Sequence, residues 1–283
     1  MNTAIAVVAA LFSAFCFAVA AVLQQRAARE APAQESLRPQ LLFDLARRPI
    51  WLAGVALAGF SYLVQGLALA FGPLILVQPL AALDLAFALP LLAWRRGIGL
   101  TRRELAGIAG TAGGVAAFLT VLPPPSGTAV PGLGEWLPML AAVGGAVALL
   151  VSAGIRSGGK TRTSLYAISA ALLFALLDAL TKSTAGRFRA SGLGALAHWE
   201  PYAVIAVGIT GLLLAQSSFQ AGSLAVSLPL IDTVEPVGAV LIGAVVFNEQ
   251  FAPSAWALSV QALGATAAVT GIVLLDRSPL VRA

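Results

Sequence analysis

The sequence predicts an all-α integral membrane protein of about nine transmembrane helices, arranged as an inverted repeat of four helices, a linker helix and four more. Three observations lead there. Apolar residues fill 59% of the 283 positions and charged residues only 10%, with a mean hydropathy of +0.91, whereas soluble domains carry about 25% charged residues. Apolar runs long enough to cross a hydrocarbon core of about 30 Å recur from Thr3 to Leu275, and the gaps between them are too short to fold separately. Basic residues crowd into alternate gaps, as the two sides of a bilayer require. One membrane domain therefore covers 1–283, with no soluble enzyme module.

The first span is placed at 3–24. Met1 to Thr3 supplies no basic leader, so the segment reads as an uncleaved helix and not as a signal peptide. Its Cys16 is the chain's one cysteine, which excludes an intrachain disulfide and a thiolate metal set. Residues 25–48 hold five basic residues, and LLFDLA ahead of Arg47 and Arg48 suggests an interfacial helix. Spans follow at 49–70, at 74–94 with Pro79 and Asp84 inside it, and at 104–122.

The stretch 123–134, PPPSGTAVPGLG, is uncharged and cannot be helical. It leads to a linker helix at 135–155. A literal phosphate-loop pattern, Gly154 and then Gly159-Lys160-Thr161, lies between two membrane spans and lacks the strand that such a loop must follow, so nucleotide binding is rejected. Four further spans fall at 163–183, 199–220, 224–247 and 253–275. His198 beside Trp199 fits an interfacial aromatic belt better than a metal site.

Lys and Arg number five in 25–48, four in 95–103, three in 156–162 and two after 275, against Lys182, Arg187 and Arg189 alone on the other side. The positive-inside rule makes the basic side cytoplasmic, with the N-terminus outside and the C-terminus inside. That arrangement also explains the net charge of +5 and pI of about 10.1, because the basic residues are scattered among loops and form no nucleic-acid-binding face.

Displacing the chain on itself by 150 residues sets Gly72 on Gly222, Leu74 on Leu224, Pro79 on Pro229, Leu80 on Leu230 and Thr120 on Thr270; a displacement of 158 sets Gln24 on Lys182 and Arg29 on Arg187. Repeat one is then 3–122, the linker helix 135–155 and repeat two 163–275. With one helix between the halves, matched helices cross in opposite senses, the inverted repeat of secondary transporters.

Asp84, Asp178, Asp232 and Glu235 fall within spans, where an unpartnered charge costs on the order of 2.5–3.5 kcal/mol. Asp84 is ten residues into its span and is expected to face the bundle interior. Asp178 and Lys182 stand i,i+4 with the acid first, the favourable order for an ion pair on one helix, with Lys182 near the outer end and able to snorkel towards water. Asp232 and Glu235 stand i,i+3 between Pro229 and Pro236, whose rings interrupt the backbone ladder and free carbonyls. Carbonyls beside carboxylates suit a cation, with Asp84, Asp232 and Glu235 as candidate metal ligands, or a proton shared between the acids as a coupling group. Pro79, with Gln78 beside it, is the matching kink of the first half. Gln65 and Gln216, on matched helices, are candidate donors to a substrate or glue between helices. Gly110 and Gly114 are assigned to close helix packing.

Two pieces of the chain, AFGPLILVQPLAALDLAFALPL at 70–91 and AQSSFQAGSLAVSLPLIDTVEPVGAVLIGAVVFNEQF at 215–251, resemble the drug/metabolite transporter superfamily of EamA-like proteins. That family has ten helices in two inverted halves, and this chain departs by lacking the first. Nine helices, PLAAL at 79–83, Lys182, Gln216 and the Pro-rich helix ending near Glu249 look like the NIPA-type magnesium transporter branch. The resemblance implies a multi-pass protein of the cell membrane that moves a small solute by alternating access, with Mg²⁺ or another divalent cation as one cargo class and proton coupling as a second feature. No cofactor and no enzymatic reaction are expected. A structural or accessory membrane protein is the rival from another class, and it would have no use for deep acids in both halves.

Overall fold

The computed structural model of the protein describes residues 3–29, 47–124, 128, 130–222 and 224–282; the expected interfacial helix at LLFDLA lies outside them. Regular structure among these residues is entirely helical. In chain order come α1 (Thr3–Arg29), α2 (Pro49–Phe71), α3 (Leu74–Ala81), α4 (Asp84–Arg96), α5 (Arg102–Thr120), α6 (Leu133–Arg156) and α7 (Gly159–Ser191). A 3₁₀ turn, Gly192–Ala197, leads to α8 (Glu200–Ala221), α9 (Leu224–Val246), α10 (Ala255–Asp276) and the short α11 (Pro279–Arg282).

Among the described residues seven helical stretches are long and apolar enough to cross a membrane. The other two expected spans are also helices: α5, which opens on Arg102, Arg103 and Glu104, and α8, whose apolar part is the shorter stretch Glu200–Ala215. Large apolar side chains crowd the outer surface, Leu63, Leu149 and Leu263 among them at 70–74% exposure. Water would penalise a surface of that kind and lipid does not, so the fold is that of a multi-pass helical membrane protein.

Backbones approach closely where small residues face each other. Gly107, Gly110 and Gly114 of α5 run antiparallel to Gly271, Ala267 and Gly264 of α10, and a Cβ on Gly264 would stand 2.7 Å from the Gly114 carbonyl oxygen and 2.8 Å from the Phe118 nitrogen. Only hydrogen fits there. Helices α1 and α2 are stitched by a reciprocal pair, Ser13 Oγ donating to the Ser61 carbonyl at 2.9 Å and Ser61 Oγ to the Ser13 carbonyl at 2.7 Å. The packing is paired: α1 lies mainly on α2, α7 on α8 and α9, and α5 on α10. Helix α6 is largely exposed along its apolar length.

Three features depart from the sequence expectations. The span at 74–94 is two helices, not one kinked helix: Ala82 and Leu83 join α3 to α4 through a tight turn in which the Leu83 N–H bonds to the Leu80 carbonyl. Pro79 lacks the N–H that would bond to Ile75, and the ladder fails one turn later. Its counterpart α9 remains one helix through both Pro229 and Pro236, so a proline's missing donor does not by itself end a helix. Helix α7 runs eight residues past its expected end at 183, so its 33 residues span about 50 Å at 1.5 Å per residue, and Lys182 lies well inside it.

Candidate functional site

Inside the bundle lies a cavity of about 310 Å³ walled by Tyr62 and Gln65 of α2, Gln78 of α3, Asp84 of α4, Asp178 of α7, and Asp232 and Glu235 of α9, with Phe17, Phe174, Pro236 and Ile272 completing it. All four deep acids of the sequence reach this one space, and no basic side chain is among its lining residues. The broken helix has a part in this: Asp84 is the first residue of α4, its Oδ1 accepting from the Leu85 N–H at 2.6 Å, where the unpaired N–H groups of a helix start favour a carboxylate.

Asp178 is the most enclosed of the four, at 3% exposure. Gln78 Nε2 donates to its Oδ2 at 2.9 Å and Gln65 Nε2 to its Oδ1 at 3.4 Å. Two amides from two helices thus hold one carboxylate, a use of Gln65 and Gln78 that spacing does not reveal. Asp84, Asp232 and Glu235 are half-buried and face the cavity. Asp276, from the end of α10, lies near Asp232 and had no place in the sequence reading. Tyr62 was also missed: Thr181 Oγ1 directs its proton to the Leu177 carbonyl at 2.8 Å, so the Tyr62 hydroxyl at 2.9 Å is the donor to Thr181.

The expected metal set is not formed. Among the described residues no group of three or more His, Cys, Asp or Glu side chains stands close enough to hold a metal ion, so Asp84, Asp232 and Glu235 share a cavity without making a ligand cage. Helix α9 presents Asp232 and Glu235 on one face, as i,i+3 spacing dictates, but on a continuous helix. Gln216 lies in α8, its side chain outside the described residues.

Lys182 does not pair with Asp178 and does not snorkel. It is 5% exposed, and its ammonium forms an ion pair with Glu249, from the segment after α9, while lying 4.1 Å from the centre of the Phe247 ring. Glu249 is fully engaged, its two oxygens accepting the Leu74 and Ile75 N–H groups at 2.8 Å each and so capping the start of α3. The backbone that aims it is visible in the sequence. Asn248 adopts φ +54°, a left-handed helix ending that asparagine tolerates, and the Phe247 and Glu249 N–H groups both return to the Gly243 carbonyl. A Cβ at Gly243 would meet Glu249 Oε2 at 2.6 Å.

Aromatic rings cover this knot. Trp136 of α6, fully buried, meets Phe247 and Trp199 edge-on at 5.8 and 5.7 Å. Arg187 Nε pairs with Glu200 Oε1 at 2.6 Å, and Arg189 stacks 4.4 Å over Phe71. One end of the bundle is thereby tied together by contacts among α2, α3, α6, α7, α8 and the α9–α10 segment.

The chain is 31% identical over 278 residues to an uncharacterized protein of Corynebacterium glutamicum, covering 97% of this chain and 95% of that one. It belongs to that protein's family. The match runs nearly end to end, so the family shares the whole helical domain and not a fragment of it. No protein-family model matches the chain, and no solved structure matches it.

Proposed function

We propose that the protein is a secondary-active transporter of the drug/metabolite transporter type, crossing the cell membrane nine times and moving a small solute by alternating access. The observation that carries this reading is the acid-lined cavity: four carboxylates from α4, α7 and α9, with no basic side chain on its walls, inside a membrane bundle. Buried acids in that number require cations or protons as guests, and a protein with only structural duties gains nothing from gathering them. We assign the N-terminus to the outside and the C-terminus to the cytoplasm, from the distribution of basic residues. The paired packing of α1 with α2 and of α7 with α8, and of α5 with its counterpart α10, suits two inverted four-helix halves with α6 as linker.

In the proposed cycle the tied end is the outer gate, held by Lys182, Glu249 and the aromatic cover, and the acids form the substrate or coupling site. Reconstitution into liposomes with a panel of small metabolites and Mg²⁺, each tested with and without a proton gradient, checks the reading. Asp84→Asn with Glu235→Gln is expected to abolish uptake while the protein remains folded. A double variant that keeps full uptake and growth phenotype would return the protein to the structural or accessory class.

A second reading is favoured by the same lining. Carboxylate, amide and phenol oxygens are the donors a hard divalent cation accepts, so Mg²⁺ is the alternative cargo. As the acids form no ready cage, that ion would keep part of its water shell, which Mg²⁺ prefers.

A further inference from the structure

Beside the acidic cavity lies a second chamber of about 200 Å³ with the opposite chemistry. It is enclosed by α3, α5, α9 and α10 through Pro79, Phe118, Val240, Ala265 and Val269, and polar atoms contribute almost nothing to its walls. Its rim residues Val237 and Leu241 are 44% and 54% exposed and run into the apolar belt of α9 and α10, where Val245, Leu258 and Leu263 face outwards. Ala82, Pro236 and Ile272 line both chambers, so a wall without polar side chains divides the acid-lined space from the apolar one.

Such a chamber has no use for water. Apolar cavities of about 150 Å³ stay dry and take up apolar guests, and an empty one forfeits the contacts of its lining. In a bilayer the abundant apolar guest is lipid, and the chamber opens past Val237 and Leu241 onto the apolar outer surface. We propose that a phospholipid acyl chain inserts here, between the α5–α10 pair and the contact of α3 with α9. The inserted chain fills the space behind Ala82, Pro236 and Ile272 and seals the acidic cavity from the hydrocarbon. It also couples the break between α3 and α4 to the bilayer, since Pro79 and Ala82 form part of its seat.

The test uses the full chain in nanodiscs containing a phosphatidylcholine with a diazirine in the acyl chain, with the labelled residues mapped by mass spectrometry after photolysis. Labelling of Val240, Ala265 and Val269 is expected to exceed that of the open-belt residues Val245 and Leu258 severalfold, because dispersion contacts with the chamber walls hold a seated chain longer than belt lipid. Val240→Phe and Ala265→Phe, made separately so that one misfolded variant does not decide the matter, are expected to reduce the excess to the belt level, whereas Val245→Phe leaves it intact. Labelling of the chamber no stronger than that of the belt in the unaltered protein means ordinary surrounding lipid and overturns the proposal. So does an excess that persists in both filled variants. The labelling readout is independent of transport, so a failure here leaves the transporter reading standing.

Discussion

The acidic cavity and the tied end treat buried carboxylates in opposite ways. Glu249 has a cation and two backbone N–H donors on its two oxygens, so every strong demand of a buried charge is met within the protein. In the cavity Asp84, Asp232 and Glu235 face a shared space with no basic side chain on its walls, so no countercharge reaches them from the cavity lining. The same functional group is a bolt in one place and, on the proposed reading, a receptor in the other. The deciding difference is whether the fold supplies a countercharge. Asp178 lies between the two cases, held by Gln65 and Gln78 yet still part of the cavity wall.

The largest expected effect comes from cutting the bolt on one side. Glu249→Ala strands Lys182 in an apolar site and uncaps α3, and removing one partner of a buried pair costs about 3–5 kcal/mol. Thermal unfolding in detergent reads it, and Lys182→Met combined with Glu249→Leu is expected to recover much of the loss. A fully stable single variant would mean that the pair is not sealed as described. Next in size is Gln78→Leu, which removes the shorter amide bond to Asp178 and leaves a buried carboxylate short of a donor, for about 1–3 kcal/mol. By contrast Asp84→Asn is expected to change stability by less than about 1 kcal/mol, because its carboxyl faces the cavity and accepts from its own neighbour's N–H, a bond the amide oxygen can keep; a large destabilisation would make Asp84 part of the framework. Phe247→Leu keeps the apolar filling and loses the ring under Lys182 and the edge contact with Trp136, for about 0.5–2 kcal/mol, measured in the same unfolding assay. Tyr62→Phe loses one hydrogen bond to Thr181, for about 0.5–1.5 kcal/mol; an effect on uptake without an effect on stability would move Tyr62 from the framework to the site.

Much of this contrast was hidden in the sequence for a physical reason. Spacing along a helix identifies neighbours within one turn, and on that ground Asp178 is the natural partner of Lys182. The fold offers Lys182 a better one 67 residues away, Glu249, already held by two N–H groups at a helix start. Asp178 in turn receives donors from residues 100 and 113 positions away. The sequence marks only a helix end near Glu249; the turn that delivers it, Gly243 with Asn248 in the left-handed region, and its target emerge in the fold. The break between α3 and α4 was foreshadowed by Pro79 alone, while Pro229 and Pro236 on α9 gave the same signal without a break, because the outcome depends on whether the ladder can resume against the neighbouring helices.

By itself the sequence determined the helical membrane class, the positions of most helices and the presence of deep acids that must turn inward, since hydropathy and the cost of charge in lipid act on each segment locally. Only the tertiary structure decided which acids share a cavity, which one is locked to a lysine, and where an apolar chamber opens beside them. Those outcomes depend on contacts between helices distant in the chain, where spacing carries no information and geometry selects the partner.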